Sequence, residues 1–346
     1  MKYQYSGFIS ENTAPIGAKQ IGVYDGDGNK VGRVPLGWLR HPNAEKLYSF
    51  GLISDLHFYS AEVAWNPSEK VDYALTFFED NNCVFCCHAG DMTQTGFFND
   101  GDTETFVAYQ FDSYKEICDR HTIPVYGICG NHESYVNPIV NNLTELKSYT
   151  GIDMYYSVAY RNDLFIFLSQ PRENLPMTDE ALQWLYETLE ENRNKRCFIF
   201  FHPYLDSGNA LDLYGNNVFS WWGEKTTAFK NLLKHYKNTV LFHGHSHNKF
   251  ECQEVDETAN YTENTGFRSV HIPSISRPTQ IIDGIRSGYD EGSYGYIVDV
   301  YDDFVVLNGM DFINSKFVPL GTLKIDTQLV TIDAGTFTDS TGTITT

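Results

Sequence analysis

Five short polar motifs sit where apolar runs end, and all five carry side chains suited to metal chemistry. They are Asp55-Leu56-His57, Gly90-Asp91, Gly130-Asn131-His132-Glu133, His202, and Gly244-His245-Ser246-His247. Ligands of an α/β sheet gather at the carboxyl ends of its strands. A chain that ends strand after strand in this way is therefore expected to bring distant residues to one edge. The third motif organises the pattern. It follows Pro124–Cys129, an apolar run that reads as a buried strand. Gly130 then permits a sharp turn. Asn131 offers a hard amide oxygen, His132 an imidazole, and Glu133 a carboxylate able to orient that ring.

The runs between the motifs fix the order of elements. Tyr48–Ser54 reads as a strand, Pro67–Asp80 as a helix with Val71, Ala74, Leu75 and Phe78 on one face, and Cys83–Ala89 as the next strand. A second helix is expected over Asp102–Arg120, with Phe106, Tyr109 or Gln110, Ser113 and Ile117 toward the core. Tyr155–Tyr160 and Leu164–Ser169 read as a strand pair. Thr178 caps a helix whose stripe is Leu182, Leu185, Tyr186 and Leu189. Arg196–Phe201 and Thr239–His243 are strands separated by a helix over Glu224–Tyr236. Beyond residue 247 strands dominate: Phe267–Ile272, Tyr294–Tyr301, Phe304–Met310 and Leu320–Ile325. Alternation of this kind predicts an α/β core.

Both ends read differently. Residues 1–46 carry a hairpin signal, Ile21–Tyr24 and Lys30–Val34 around Asp25-Gly-Asp-Gly-Asn29. The acidic turn is not a calcium loop, because Lys30 stands where a glycine is required and Leu36 where a bidentate glutamate is required. The expected domains are an N-terminal segment 1–46, a catalytic domain 47–312, and 313–346 as a strand followed by a Thr-rich tail from Thr327.

Composition narrows the function. The 346 residues carry a formal charge of −20, which disfavours long nucleic acids and anionic membranes as partners. No stretch reaches the ~18 apolar residues of a membrane span, and the N-terminus lacks a signal peptide, so a cytoplasmic protein is expected. Seven cysteines, an odd number within mostly apolar runs, read as core thiols, Cys83-x-x-Cys86 included.

The motif chemistry is carboxylate, imidazole and amide oxygen, without thiolate. That set suits Mn, Fe or Zn in a working site and not a structural zinc site. Asp55, His57, Asp91, Asn131, His202, His245 and His247 are too many donors for one ion. They are about right for two divalent transition-metal ions that keep open positions. Two ions roughly 3.5–4 Å apart clamp the attacking and leaving oxygens of phosphoryl transfer.

In order, Asp-x-His, Gly-Asp, Gly-Asn-His-Glu, a single His and Gly-His-x-His closely resemble the calcineurin-like metallophosphoesterase family, over about residues 47–311. The resemblance implies an α/β four-layer sandwich: two packed mixed sheets flanked by helices. It implies that Asp55, His57, Asp91 and His247 hold one ion. Asp91 would bridge to a second that also takes Asn131, His202 and His245. It makes His132 the catalytic histidine, with Glu133 as its partner. The implied reaction is hydrolysis of a small phosphomonoester or phosphodiester by a hydroxide between the ions, with His132 protonating the leaving group. The motifs do not choose between monoester and diester, and they leave the oligomeric state open.

Other polar residues have plainer readings. His88 and His243 precede motifs within apolar strands and read as core or supporting histidines. His41, His121, His235 and His271 read as surface or packing residues. Tyr135, Asn137, Tyr204 and Trp221-Trp222 are candidates for the pocket rim, although aromatic residues are common in this chain. A rival from another class is a structural or binding protein that keeps the fold. The N-terminal hairpin and Thr-rich tail weakly resemble segments of phage virion proteins, so association with a particle is a second expectation. Intact ligand positions favour the enzyme.

Overall fold

The computed structural model describes residues 20–24, 30–35, 44–59, 67–94, 104–134, 147, 150–169, 178–203, 225–252, 261–262, 266–282 and 285–327. Strands β1 (Gln20–Tyr24) and β2 (Lys30–Pro35) form the expected antiparallel hairpin. The backbone of β2 runs beside a 3-10 turn at Pro319–Gly321. Then come β3 (Tyr48–Ile53), helix α1 (Pro67–Asp80), β4 (Cys86–His88), α2 (Glu104–Asp119), β5 (Val125–Gly127) and the single turn α3 (Asn131–Ser134). The middle of the chain supplies β6 (Tyr155–Tyr160), β7 (Asp163–Leu168), α4 (Asp179–Glu191), β8 (Arg196–Phe201), α5 (Lys225–His235) and β9 (Thr239–His243). The rest is β10 (Tyr261–Thr262), β11 (Ser269–His271), β12 (Thr279–Ile282), β13 (Ile285–Tyr289), β14 (Tyr294–Val300), β15 (Phe304–Asp311), β16 (Lys316–Phe317) and β17 (Leu323–Asp326).

Two mixed sheets carry the core. The first runs β16-β15-β14-β3-β4-β5, with β17 also on β15, and β3, β4 and β5 are parallel. The second runs β10-β11-β9-β8-β7-β6, with β7, β8, β9 and β11 parallel. Strand periodicity explains how they stack. Every residue of β7 and β8 is buried, so these strands must serve two cores at once. Phe165, Phe167, Phe198 and Phe200 point between the sheets, where they meet Phe50, Phe242 and Val298. The alternate residues, Leu164, Ile166, Cys197 and Ile199, meet Leu185, Leu189, Phe229 and Leu232 of α4 and α5. On the other side, Val71, Leu75 and Phe78 of α1 cover Ile53 and Cys86 of the first sheet. The layers are therefore helix, sheet, sheet, helix, as expected. Rings fill the middle: Phe167 and Phe200 stack at 4.7 Å, and Phe50 meets Phe165 edge-on at 5.2 Å.

The predicted stripes of α1 and α4 are buried, and the Thr178 side chain caps α4 by accepting the Ala181 N–H at 3.1 Å. On α2 the structure decides between the two expected alternatives: Gln110 is buried with Ile117, and Tyr109 is exposed. Phe111 is buried as well, packed on Met92 and Cys129, and Gln110 is held by a hydrogen bond to the loop after β4. The small strands β10, β12 and β13 escape the sequence reading, being too short or too polar for periodicity to register. Six of the seven cysteines are buried, Cys118 is half-buried, and none forms a disulfide. Among the described residues no helix is long and apolar enough to cross a membrane.

A buried polar network ties the sheets together at the start of β7 and β8. Arg196 donates to both oxygens of Asp163 at 2.9 and 2.7 Å, and to Tyr301 O and Thr327 Oγ1. Tyr48 of the first sheet donates to the same carboxylate. Thr327, expected in the tail, is thus a buried partner of the network, while residues 328–346 lie outside the described residues. Removing one partner of such a pair strands a charge in the interior. Arg196→Met should therefore destabilise the protein by about 3–5 kcal/mol. The double variant Arg196→Met/Asp163→Asn should recover part of the loss in thermal unfolding. Equal losses would assign the cost to packing instead.

Candidate metal centre

The motifs converge because their strands are parallel. β3, β4 and β5 deliver Asp55, Asp91 and Asn131 to one edge, and β8 and β9 deliver His202 and the His245–His247 turn to the facing edge. Cross-sheet hydrogen bonds stitch the two edges. His202 Nδ1 donates to Ala89 O at 2.6 Å, and His245 N–H donates to the Asp55 carboxylate at 3.0 Å. Glycines make the approach possible. A Cβ on Gly130 would overlap Asp91 Oδ1, and one on Gly244 would overlap Asp55 Oδ2. Gly130 is expected to supply a sharp turn; what the fold asks of it is space beside Asp91.

The backbone itself is unusual. Asp55, His57, Asp91, His245 and His247 all have positive φ, between 49° and 73°. Non-glycine residues seldom adopt this region, and it costs on the order of 1–3 kcal/mol each time. Here the surroundings enforce it. Asp55 N–H donates to Gly90 O and His57 N–H to Asp91 O, while Ser274 and Ser276 hydroxyls both donate to Asp55 O at 3.0 Å. The positive φ turns each side chain back toward the space between the sheets.

Two donor groups result. Atoms of Asp55, His57, Asp91 and His247 lie within 4.8 Å of one another, and so do atoms of Asp91, His202 and His245. Asp91 belongs to both groups. Asn131 Oδ1 is 2.9 Å from His245 Nδ1, at the second group. All seven expected ligands are therefore gathered at this edge, and His132 stands with them, its ring edge-on to His57 at 4.7 Å.

The donor atoms fit cations. His202 Nδ1 donates to Ala89 O at 2.6 Å, which turns Nε2 toward Asp91 Oδ2 at 3.0 Å. That nitrogen is buried and makes no hydrogen bond among the described residues. His247 Nδ1 donates to Arg277 O at 3.0 Å, which turns its Nε2 toward Asp55 Oδ1 at 3.2 Å. His57 Nε2 lies 2.9 Å from that same nitrogen. Donor atoms this close in a dry interior need a proton or a cation between them.

Protonation preferences agree. Burial alone would raise Asp55, but His247 and His202 outweigh it and hold its pKa below the ordinary range. Asp91 is likewise lowered, by His202 and His132 against burial. Burial pushes His57 well below its usual value and His245 down to about 3. Anionic carboxylates and neutral imidazoles are the states that bind metals. His202 is the exception: burial opposes its charge, yet Asp91 and Asp55 raise its pKa to about 9.

Glu133 departs from expectation. Its carboxylate accepts Thr93 N–H at 2.8 Å, Thr93 Oγ1 at 3.1 Å and Gly130 N–H at 2.6 Å, and its hydrogen bonds do not go to His132. It ties the Asp91 loop to the Asn131 loop. Burial, then the charge of Asp91, push it up to about 7. His132 is instead fixed by its own backbone, whose N–H donates to Asp91 Oδ1 at 2.9 Å.

His88 and His243 are buried beside the site, as expected of supporting histidines. His88 Nε2 lies 3.0 Å from the Tyr114 hydroxyl, and the His243 ring is 5.3 Å from that of His271. His121 bridges Asp72 and Glu79 at 3.1 Å, away from the motifs. Tyr135, Asn137, Tyr204, Trp221, Trp222 and His41 lie outside the described residues. The sequence reading overlooked the loop after β11, with Ser274, Ser276 and Arg277. Its signal was available: β11 is another parallel strand whose polar continuation begins at the same edge.

Comparison with known proteins follows this geometry. The family model for calcineurin-like phosphoesterase matches residues 48–249, more than half of the chain. The uncharacterized protein YvnB of Bacillus subtilis (strain 168) is 23% identical over 272 residues, which is 74% of this chain and 19% of YvnB. The chain thus spans a small part of that curated relative. The dimetal phosphatase LOC 393393 of Danio rerio superposes with a TM-score of 0.57 at 15% identity, over 82% of this chain and 100% of its own. The purple acid phosphatase PPD1 of yellow lupin (Lupinus luteus) gives 0.53 at 16% identity, over 81% of this chain and 53% of its own. At these identities both speak for the fold. The sandwich they share, and a family match that begins at β3 and ends just past His247, lead to one conclusion: the chain belongs to the calcineurin-like phosphoesterase family.

Proposed function

We propose that the chain hydrolyses a small phosphate ester with two divalent transition-metal ions, of which Mn, Fe and Zn suit the donors. The observation that carries the reading is Asp91, a buried carboxylate common to both donor groups. Asp55, His57, Asp91 and His247 would hold one ion, and Asp91, Asn131, His202 and His245 the other. Such ions, when bound, supply Lewis acidity toward a phosphoryl group and lower the pKa of bound water.

The chain's own residues do the rest. Carbonyls of Ala89 and Arg277 fix the ring orientation of His202 and His247. The strained turns keep the donors from relaxing when the site is empty. His132 packs against His57 and is backbone-locked to Asp91, so its ring is in position to give a proton or a hydrogen bond to a leaving oxygen. Glu133 is a strut that sets the distance between the Asp91 and Asn131 loops.

Metal content comes first among the tests. Elemental analysis of protein purified without chelator should give about two ions per chain, as a clamp on both oxygens of the reaction needs. Asp91→Asn should lose more metal than Asn131→Ala, because it removes a shared charge. One ion or none in the wild type would sink the reading. An assay with added Mn(II) across p-nitrophenyl phosphate, bis-p-nitrophenyl phosphate, cyclic AMP and a nucleotide-sugar should then locate the substrate class.

His132 and Glu133 should separate by leaving group. His132→Ala should keep its metal and lose about 10²–10⁴-fold in turnover, least with nitrophenyl esters and most with alkyl esters. Glu133→Gln should slow both kinds of ester by the same factor, since it loosens two loops and touches no proton in transit. A leaving-group trend for Glu133→Gln would restore it as the partner of His132. Loss of metal from His132→Ala would remove the acid assignment.

A further inference from the structure

We propose that Arg277 is the residue that grips the substrate phosphoryl group, taking a non-bridging oxygen at the mouth of the Asp55–His57–Asp91–His247 group. The inference rests on the phosphoester reading above and names a recognition residue that the five motifs do not contain.

Three observations place the guanidinium. Its main chain is part of the site, since Arg277 O accepts the His247 Nδ1 proton at 3.0 Å. Its Nη1 donates to Gln94 Oε1 at 2.8 Å, and Gln94 lies on the loop that begins at Asp91. Its plane lies 4.5 Å over the ring of Tyr289, and that ring is 5.6 Å from the His247 ring. The guanidinium is therefore bracketed between the Asp91 loop on one side and the His247 neighbourhood on the other. Its charge reaches the site as well, acting among the smaller influences that lower the pKa of both His57 and His132.

The surroundings are built to hold this side chain. Gln94 is fully buried, and its N–H is shared between Phe58 O at 2.9 Å and Gln110 Oε1 at 2.8 Å. Gln110 in turn is a buried polar residue of α2. Behind Arg277, the loop is pinned without help from the guanidinium. Ile275 N–H donates to Ser54 O, Arg277 N–H to Ser274 Oγ, Thr279 N–H to His247 O, and the buried Lys70 Nζ to Ser276 O at 2.8 Å. The loop is thus anchored through its backbone, and the Arg277 head is an addition to it.

Gln94 accepts the Nη1 N–H on its amide oxygen and so orients the guanidinium. An aromatic face does the same. A guanidinium carries five N–H donors in a planar fork that matches phosphoryl oxygens. Tyr289 is 41% exposed and Arg277 half-buried, so the pair is reachable from solvent. In a chain of charge −20, a fixed local cation also offsets the repulsion that an anionic ester meets on approach.

The test compares the full-length, metal-loaded wild type with Arg277→Gln and Arg277→Lys. It reads metal stoichiometry, inorganic phosphate binding by calorimetry, and kcat and KM on the best ester of the panel. Arg277→Gln should keep its metal and weaken inorganic phosphate by about 10- to 100-fold, the loss expected of one charge-assisted hydrogen bond. KM should rise by a similar factor, and Arg277→Lys should recover only part because it lacks the fork. If Arg277→Gln does not fold, Gln94→Leu takes its place: the arginine stays but loses its guide, and phosphate binding should still fall. Phosphate affinity within twofold of wild type, or loss of metal from Arg277→Gln, overturns the inference while an active wild type leaves the hydrolase reading standing. A wild type with neither metal nor turnover overturns both.

Discussion

The structure depends on crowding lone pairs into a dry space. Two carboxylates, four imidazoles and an amide oxygen aim at one region from the edges of two sheets. Left alone, such a cluster repels itself, so it exists only because the backbone around it gives no other choice. The positive φ values of Asp55, His57, Asp91, His245 and His247 are the visible mark of that compulsion. Each turn is locked by main-chain hydrogen bonds to another turn of the site: Asp55 to Gly90, His57 to Asp91, Gly244 to His202. The loops thus form one interlocked unit. A cation would relieve the repulsion and convert the stored cost into affinity.

That unit needs a stiff base, and the sandwich supplies it. The parallel strands β3, β4, β8 and β9 are fully buried, so their ends cannot shift without disturbing a packed core. Edge-on ring contacts between the sheets, Phe50 and Phe85 each with Phe165, fix how the two edges face each other. At the far ends of β7 and β8, the Tyr48–Asp163–Arg196 network joins the same two sheets through charge and hydrogen bonds. Apolar packing sets the spacing of the sheets, and the buried network fixes how one lies on the other. Both act on the geometry of the donors many residues away.

Much of this was legible in the sequence, and the reason is periodicity. Runs such as Leu164–Leu168 and Arg196–Phe201 have a continuous apolar character that only doubly buried strands require, and polar motifs stand out sharply where those runs stop. Hence the seven candidate donors that the fold gathers could be picked out from the sequence. Glu133 was expected to partner His132, and its hydrogen bonds go to Thr93 and Gly130. Adjacency in sequence suggested His132, whereas a one-turn helix sends the two side chains apart and lets the carboxylate reach back to Gly130. On α2 the pattern left Tyr109 and Gln110 as alternatives, because a side chain buried by a hydrogen bond, as Gln110 is, leaves no mark in a hydrophobic pattern. Arg277 was overlooked although Phe267–Ile272 reads as a strand, because the loop after it, with Ser274, Ser276 and Arg277, carries none of the metal-donor residue types that mark the other strand ends.

These misses share a cause that also explains the division of labour in the site. The donors lie on or next to strand ends, where the fold dictates position and the sequence shows it. The residues that hold and select lie one layer further out and are joined by side-chain bonds across long sequence distances. Gln110 supports Gln94, Gln94 orients Arg277, Arg277 O fixes His247, and Lys70 braces the loop from behind. Such a layer can change its residues without moving a strand, because each bond depends on side chains rather than on pairing register. On the proposed reading, metal binding is tied to the part of the structure least free to vary, and recognition of the ester to the part most free. A relative sharing only the sandwich would then be expected to keep the donors and differ at Gln94, Arg277 and Tyr289, which is why likeness of fold carries the reaction class further than it carries the substrate.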